Sequence, residues 1–210
     1  MKLLPPPYGL LKAIGIFLFK LYFRLECGGL ENIPEKGGFI IAANHASYLD
    51  SLFIAATCPR KIGFMILESY YRNPVINWFC STTFCIPVPE RDSGSQTLKE
   101  AVEYLRAIKF LKGGNPLCIF PEGGRSPDGR LKEAKTGIAF VALKAGVPVI
   151  PAGIIGNFKA YSTHHSFPRP YKISIRYGKP IVFKKRTYTD REELKNATQV
   201  MMERIRQLME

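Results

Sequence analysis

No stretch of this chain reaches the roughly 20 consecutive apolar residues that carry a helix across a bilayer. Histidine is scarce, with only His45 and the adjacent pair His164-His165. The five cysteines, Cys27, Cys58, Cys80, Cys85 and Cys118, are odd in number and lie mostly within apolar runs. That argues against a disulfide framework and fits reduced core thiols in a cytosolic setting. A paired Cys/His zinc pattern is missing, so no metal is expected. An aromatic RNP-like block and a helix-turn-helix pattern are also missing, which removes the motif support for nucleic-acid binding. No Gly-x-Ser-x-Gly elbow is present to activate a serine for hydrolysis. Acidic residues are few: 17 against 30 lysines and arginines, a formal charge of +13 over 210 residues. Such an excess calls for an anionic partner, and an anionic membrane surface or a phosphorylated substrate satisfies it. The length suits one domain with a substantial core.

Short apolar runs recur near residues 39–43, 62–67, 84–88, 117–120, 147–154 and 173–177, separated by segments long enough for helices. The alternation predicts a single α/β domain, with a mostly parallel or mixed central sheet flanked by helices. Leu98, Ala101, Val102, Leu105, Ile108 and Leu111 fall at helical spacing between charges, predicting an amphipathic helix. Residues 137–145 predict a second helix ended by Gly146, and 190–209 a C-terminal helix capped by Asp190.

Residues 9–24 are apolar but interrupted by Lys12 and Lys20. Residues 1–24 are therefore read as an N-terminal amphipathic helix lying on a membrane surface, with 25–210 as the main domain. In this reading Lys12, Lys20 and Arg24 snorkel to headgroups while Phe, Leu and Ile side chains enter the acyl boundary. A core-packed helix and a span or signal segment are the alternatives. No small-residue cleavage site follows the apolar run.

The run Phe39-Ile40-Ile41-Ala42-Ala43 leads directly into Asn44-His45-Ala46-Ser47-Tyr48-Leu49-Asp50. This places a base and a carboxylate at the lip of a buried strand. On a regular helix, residues five apart point roughly 140° from each other, so His45 and Asp50 can meet only across a turn. Two readings fit: an Asp N-cap for the helix beginning at Ser51, or a carboxylate that also orients the imidazole.

A second run, Pro116-Leu117-Cys118-Ile119-Phe120, leads into Pro121-Glu122-Gly123-Gly124-Arg125-Ser126. Paired glycines let backbone approach an anion closely, and a guanidinium makes paired bonds to phosphate. A plain glycine turn with a solvated arginine is the alternative. Cys118 alternates with its neighbours as a strand-packing residue rather than a nucleophile.

Together, Asn-His-x4-Asp and Phe-Pro-Glu-Gly-x-Arg-Ser resemble the glycerolipid acyltransferase family typified by 1-acyl-glycerol-3-phosphate acyltransferase. Ile86-Pro87-Val88-Pro89-Glu90-Arg91 and Val149-Ile150-Pro151-Ala152-Gly153 resemble two further blocks of that family, in order. The resemblance covers about Gly28 to Val182 and implies acyl transfer in phospholipid biosynthesis, from an acyl-CoA or acyl carrier protein thioester to a lysolipid hydroxyl, at the cytoplasmic face of a membrane. It implies no cofactor. His45 would be the base and Asp50 its partner. Arg91, Gly123 and Arg125 would hold the acceptor phosphate, with Glu122 and Gly124 completing the acceptor site, and Val149, Ile150 and Pro151 would line an acyl groove. The chain departs from the family pattern in two places. Gly124 stands where many members have threonine, and residues 64–69 lack the lysine that many phosphate-accepting members carry. Arg72 and Lys61 are the candidate substitutes.

Overall fold

The computed structural model describes residues 8–74, 76–77, 80, 83–88 and 96–210. One sheet contains β1 (Glu26–Gly28), β2 (Ile40–Ala43), β3 (Gly63–Leu67), β4 (Phe84–Val88), β5 (Leu117–Ile119), β6 (Val149–Ile155) and β7 (Ser174–Tyr177). Their order is β1-β7-β6-β2-β5-β3-β4. Strands β2 to β6 run parallel, whereas β7 is antiparallel to β6 and carries β1 alongside it. The sheet is thus mixed and mostly parallel, as the alternating pattern predicts. All six apolar runs become strands. The short β1 has no such signature, because its three residues are exposed and it is held by backbone pairing from Glu26↔Ser174 to Gly28↔Arg176.

Both faces of the sheet are covered, which is why β2 is continuously apolar rather than alternating. Ile41 and Ala43 enter one core with Phe53 and Ile54 of α2 (Asp50–Thr57). Ile40 and Ala42 enter the other, against α4 (Gln96–Lys112), α5 (Gly137–Ala145) and α7 (Arg191–Met209). Two short helices, α3 (Glu68–Tyr71) and α6 (Asn157–Tyr161), follow β3 and β6. Gly146 ends α5 in the left-handed region at φ 68° and donates to Ala142 O, the conformation that favours glycine there. Asp190 caps α7 by accepting from Glu193 N at 2.7 Å.

Helix α1 (Tyr8–Phe23) serves two surroundings at once. Phe19 and Phe23 meet Phe53 edge to face at 5.0 and 5.2 Å, anchoring one side in the core. The other side presents Leu10, Ile14, Phe17, Leu18, Leu21 and Tyr22 to solvent, an apolar stripe at i, i+4, i+7 spacing. Lys12 corrects the snorkelling expectation. Its ammonium turns inward to donate to the Cys58 carbonyl, and burial lowers its pKa. Lys20 and Arg24 remain exposed. Among the described residues, no helix is long and apolar enough to cross a membrane.

Candidate active site

Strands β2, β5 and β6 are adjacent and parallel, with Ala42 beside Ile119 and Ala43 beside Ala152. The segments leaving their carboxyl ends therefore converge on one edge, where open parallel sheets hold their ligands. His45 and Asp50 arrive from β2, Glu122 to Ser126 from β5, and Asn157 from β6. Arg91, expected to arrive after β4, lies outside the described residues.

Asn44 fastens the first segment. Its amide donates to Ile154 O at 3.0 Å and its oxygen accepts from Ile154 N at 2.7 Å, a two-point clamp onto β6. The next residue is tied down through its backbone. His45 N donates to Glu122 Oε1 at 2.7 Å, and His45 O accepts from Ser126 N at 2.7 Å. The imidazole stacks on Phe120 with centroids 4.0 Å apart and planes 14° from parallel. Its Nδ1 lies 2.8 Å from Asp50 Oδ2. The ring is held from the side and below, yet its side chain keeps 16% exposure, whereas Asp50 has none.

The turn that closes this pair is made by Asp50 itself. Oδ2 also accepts from Ala46 N and Ser47 N, each at 2.8 Å. This corrects the helix-cap reading. Asp50 occupies the first helical position, Leu49 precedes it at the cap position, and no side chain caps α2. The carboxylate faces the preceding loop instead of the helix's free N–H groups. Four donors around a buried anion, including Asn157 Nδ2 on Oδ1 at 2.9 Å, compensate the loss of water.

Glu122 is buried and forms part of the frame. Oε1 accepts from His45 N and Oε2 from Lys132 N at 2.9 Å. Burial raises its pKa, opposed by those two backbone donors. The glycine pair divides its duties differently from the expectation. Gly123 adopts φ 66°, which favours glycine, and donates its N–H to Phe120 O, so that N–H is committed to the turn. At Gly124 an added Cβ would meet only the Lys132 ammonium, at 4.0 Å. A side chain fits there, so the missing threonine reflects no steric demand.

Arg125 stands on this edge beside Tyr48. Its guanidinium lies 3.9 Å above the Tyr48 ring, while its buried Nε has no hydrogen-bond partner among the described residues. Stacking fixes the plane of the fork without using its donors. Cys118 is buried on β5, and burial pushes its thiol well above the usual range, which leaves no thiolate nucleophile.

Two expectations fail. Val149 and Ile150 are fully enclosed and Pro151 is buried, all three in the central part of the sheet beside Ile40, Ile41 and Ala42. They form core, with no surface left to line an acyl groove. Lys61 precedes β3, at the amino-terminal edge of the sheet and opposite His45, with its ammonium 4.2 Å from the Phe84 ring centroid. Arg72, which follows α3 beyond the carboxyl end of β3, remains on the correct side. Tyr48, Phe120, Asn44 and Asn157 escaped the sequence reading. The first three lie within the two motifs but had been given no role of their own, and only Asn157 had no local signal.

A histidine paired with a buried carboxylate, at the carboxyl edge of a mostly parallel sheet and near an arginine stacked on Tyr48, defines the class: an α/β protein whose sheet edge carries a base oriented by a carboxylate. The chain belongs to the acyltransferase family, whose model, described as Acyltransferase, matches residues 24–155. It is 33% identical over 144 residues to a chloroplastic 1-acyl-sn-glycerol-3-phosphate acyltransferase of Brassica napus, covering 68% of this chain and 40% of that protein. Against the enzyme of the same name from Bacillus subtilis it is 26% identical, covering 85% of this chain and 84% of that one. The crystal structure of the 1-acyl-sn-glycerophosphate acyltransferase from Thermotoga maritima superposes with a TM-score of 0.74 at 25% identity, covering 96% of this chain and 79% of that one. The chain spans about two fifths of the Brassica relative's length.

Proposed function

We propose that this protein transfers a fatty acyl group from an acyl thioester, of coenzyme A or acyl carrier protein, to the free hydroxyl of a 1-acyl-glycerol-3-phosphate in phospholipid biosynthesis. The observation that carries the proposal is the 2.8 Å contact between His45 Nδ1 and the enclosed Asp50 carboxylate. That contact fixes the tautomer with Nδ1 protonated and leaves Nε2 to act as base. Nε2 takes the hydroxyl proton as the alcohol oxygen bonds to the thioester carbonyl carbon. The C–S bond then breaks, and the proton passes from the imidazolium to the leaving thiolate. No covalent enzyme intermediate and no cofactor are required.

Arg125 is proposed to hold the acceptor phosphate, supported by its unpaired Nε and its fixed plane. The family resemblance adds Arg91 and the Gly123 turn to this role, while Arg72 stands in for the missing lysine. The test is Arg125→Lys. The ammonium keeps the charge but loses the fork, and a lost charge-assisted hydrogen bond is worth roughly 1.5–3 kcal/mol. The acceptor KM should rise about 10- to 150-fold while the donor KM stays near its original value. An unchanged acceptor KM, or a wild-type preference for lysolipids without phosphate, would overturn the acceptor assignment.

The exposed stripe of α1 is proposed to seat the protein on the cytoplasmic face of an anionic membrane, where the +13 charge assists. Removing residues 1–24 would strip Phe19 and Phe23 from the core, so point changes on the outer face are the cleaner test. Phe17 is 66% and Leu21 72% exposed. The double change F17E/L21E should abolish co-sedimentation with anionic vesicles yet spare transfer to a soluble short-chain acceptor. Undiminished vesicle binding would refute the membrane role of this face.

A further inference from the structure

The geometry points to Asn157 as the residue that positions the His45–Asp50 pair, a third member contributed by the first residue of α6, just past the end of β6. The inference rests on the acyl-transfer reading of the site. Asp50 Oδ2 collects His45 Nδ1 and two backbone N–H groups, whereas among the described residues Oδ1 has one donor, Asn157 Nδ2 at 2.9 Å. Without that donor the buried oxygen is unpaired. The carboxylate then gains by rotating toward other donors, and the lone pair aimed at the imidazole moves with it.

Asn157 suits the task in three ways. Its own amide is oriented, because Oδ1 accepts from Phe158 N at 3.0 Å and Nδ2 is thereby the atom facing Asp50. It is 4% exposed, so water does not replace it. It is also neutral. A lysine or arginine at this place would satisfy Oδ1 but would oppose the imidazolium that forms during proton transfer.

The backbone around it is built for this placement. Gly156 turns at φ 87°, and a Cβ there would come 2.2 Å from Lys172 O, so glycine is required to bring Asn157 round onto Asp50. The same end of β6 is bound to the His45 loop through Asn44 and Ile154, and α6 accepts Ser47 Oγ and Tyr48 N at Tyr161 O. The dyad's orientation is thus set across strands, as supporting residues fix a catalytic group elsewhere.

Two variants and two readouts test this. In Asn157→Ala, kcat per folded molecule should fall about 10- to 100-fold, with acceptor and donor KM within about two-fold of wild type. The downfield proton resonance of His45 Nδ1–H should shift or broaden. Asn157→Asp keeps the shape and covers the case in which the alanine variant fails to fold. Two touching carboxyl groups share one proton, and while the introduced carboxyl holds it, that group donates to Asp50 as the amide does. This variant should therefore be active while His45 is neutral and the carboxyl pair still holds its proton, and lose kcat as that proton leaves at higher pH, an alkaline limb absent from the wild-type profile. Among the described residues, His45 and Cys118 are the other titratable groups acting on Asp50, and Glu122 lies one step away on the His45 backbone; all three are present in wild type, whose profile is the control. Wild-type kcat and an unmoved resonance in Asn157→Ala, or a wild-type pH profile in Asn157→Asp, would overturn the assignment. Failure of the acyl-transfer reading is distinct: wild type would then acylate no lysolipid, while the His45 proton resonance would still judge Asn157.

Discussion

His45→Ala should lower acyl transfer by about 10²–10⁴-fold while leaving the protein folded. The ring contributes one stacked contact, on Phe120, but the backbone of His45 carries the bonds that organise the loop, to Glu122 and from Ser126. Alanine preserves both. It also leaves Asp50 with the donors of Ala46, Ser47 and Asn157, so the buried carboxylate is not stranded. Steady-state transfer from a labelled acyl thioester, measured beside thermal unfolding, separates the two effects. A folded variant with near wild-type turnover would remove His45 as the base.

Asp50→Asn should be damaging on both counts. The carboxylate accepts four hydrogen bonds and donates none. An amide presents one acceptor and one donor group, so whichever way it turns, its NH₂ faces an N–H. If its NH₂ faces the imidazole, Nδ1 must become the acceptor, and the proton moves to the nitrogen that should take one from the substrate. In a histidine–aspartate pair used this way, that error costs about 10⁴ in rate. Disturbing the buried donors should lower stability by about 1–3 kcal/mol, read as a fall in the denaturant midpoint. The contrast with His45→Ala is diagnostic: both lose rate, but only Asp50→Asn loses stability. Full turnover with reduced stability would make Asp50 a structural acceptor and nothing more.

The elements of the fold were legible wherever burial writes a local pattern. Six strands announced themselves as short apolar runs, and α5 and α7 carried their own stop and start signals in Gly146 and Asp190. Strand β1 was not legible, since an exposed three-residue edge strand carries no hydrophobic pattern and depends on the pairing offered by β7. The N-terminal segment was half legible. Its apolarity was plain, but which side the core would claim, and the inward turn of Lys12, depended on where Phe53 and the Cys58 carbonyl stood in space.

At the site, the chain order alone supplied the base, the carboxylate, the glycine turn and the arginine, because each belongs to a short motif following an apolar run. The sequence also determined that His45 and Asp50 meet, if at all, across a turn, since helical geometry forbids the alternative. Tertiary structure decided what each group touches. Asp50 turned toward its own loop, Arg125 lay down on Tyr48, Glu122 became a brace for the His45 backbone, and Val149 and Ile150 disappeared into the core. Asn157, 107 residues from Asp50, shows the reason: a hydrogen bond between the segments that follow two neighbouring strands is created by how those strands pair, and neither residue's neighbours in the chain record it.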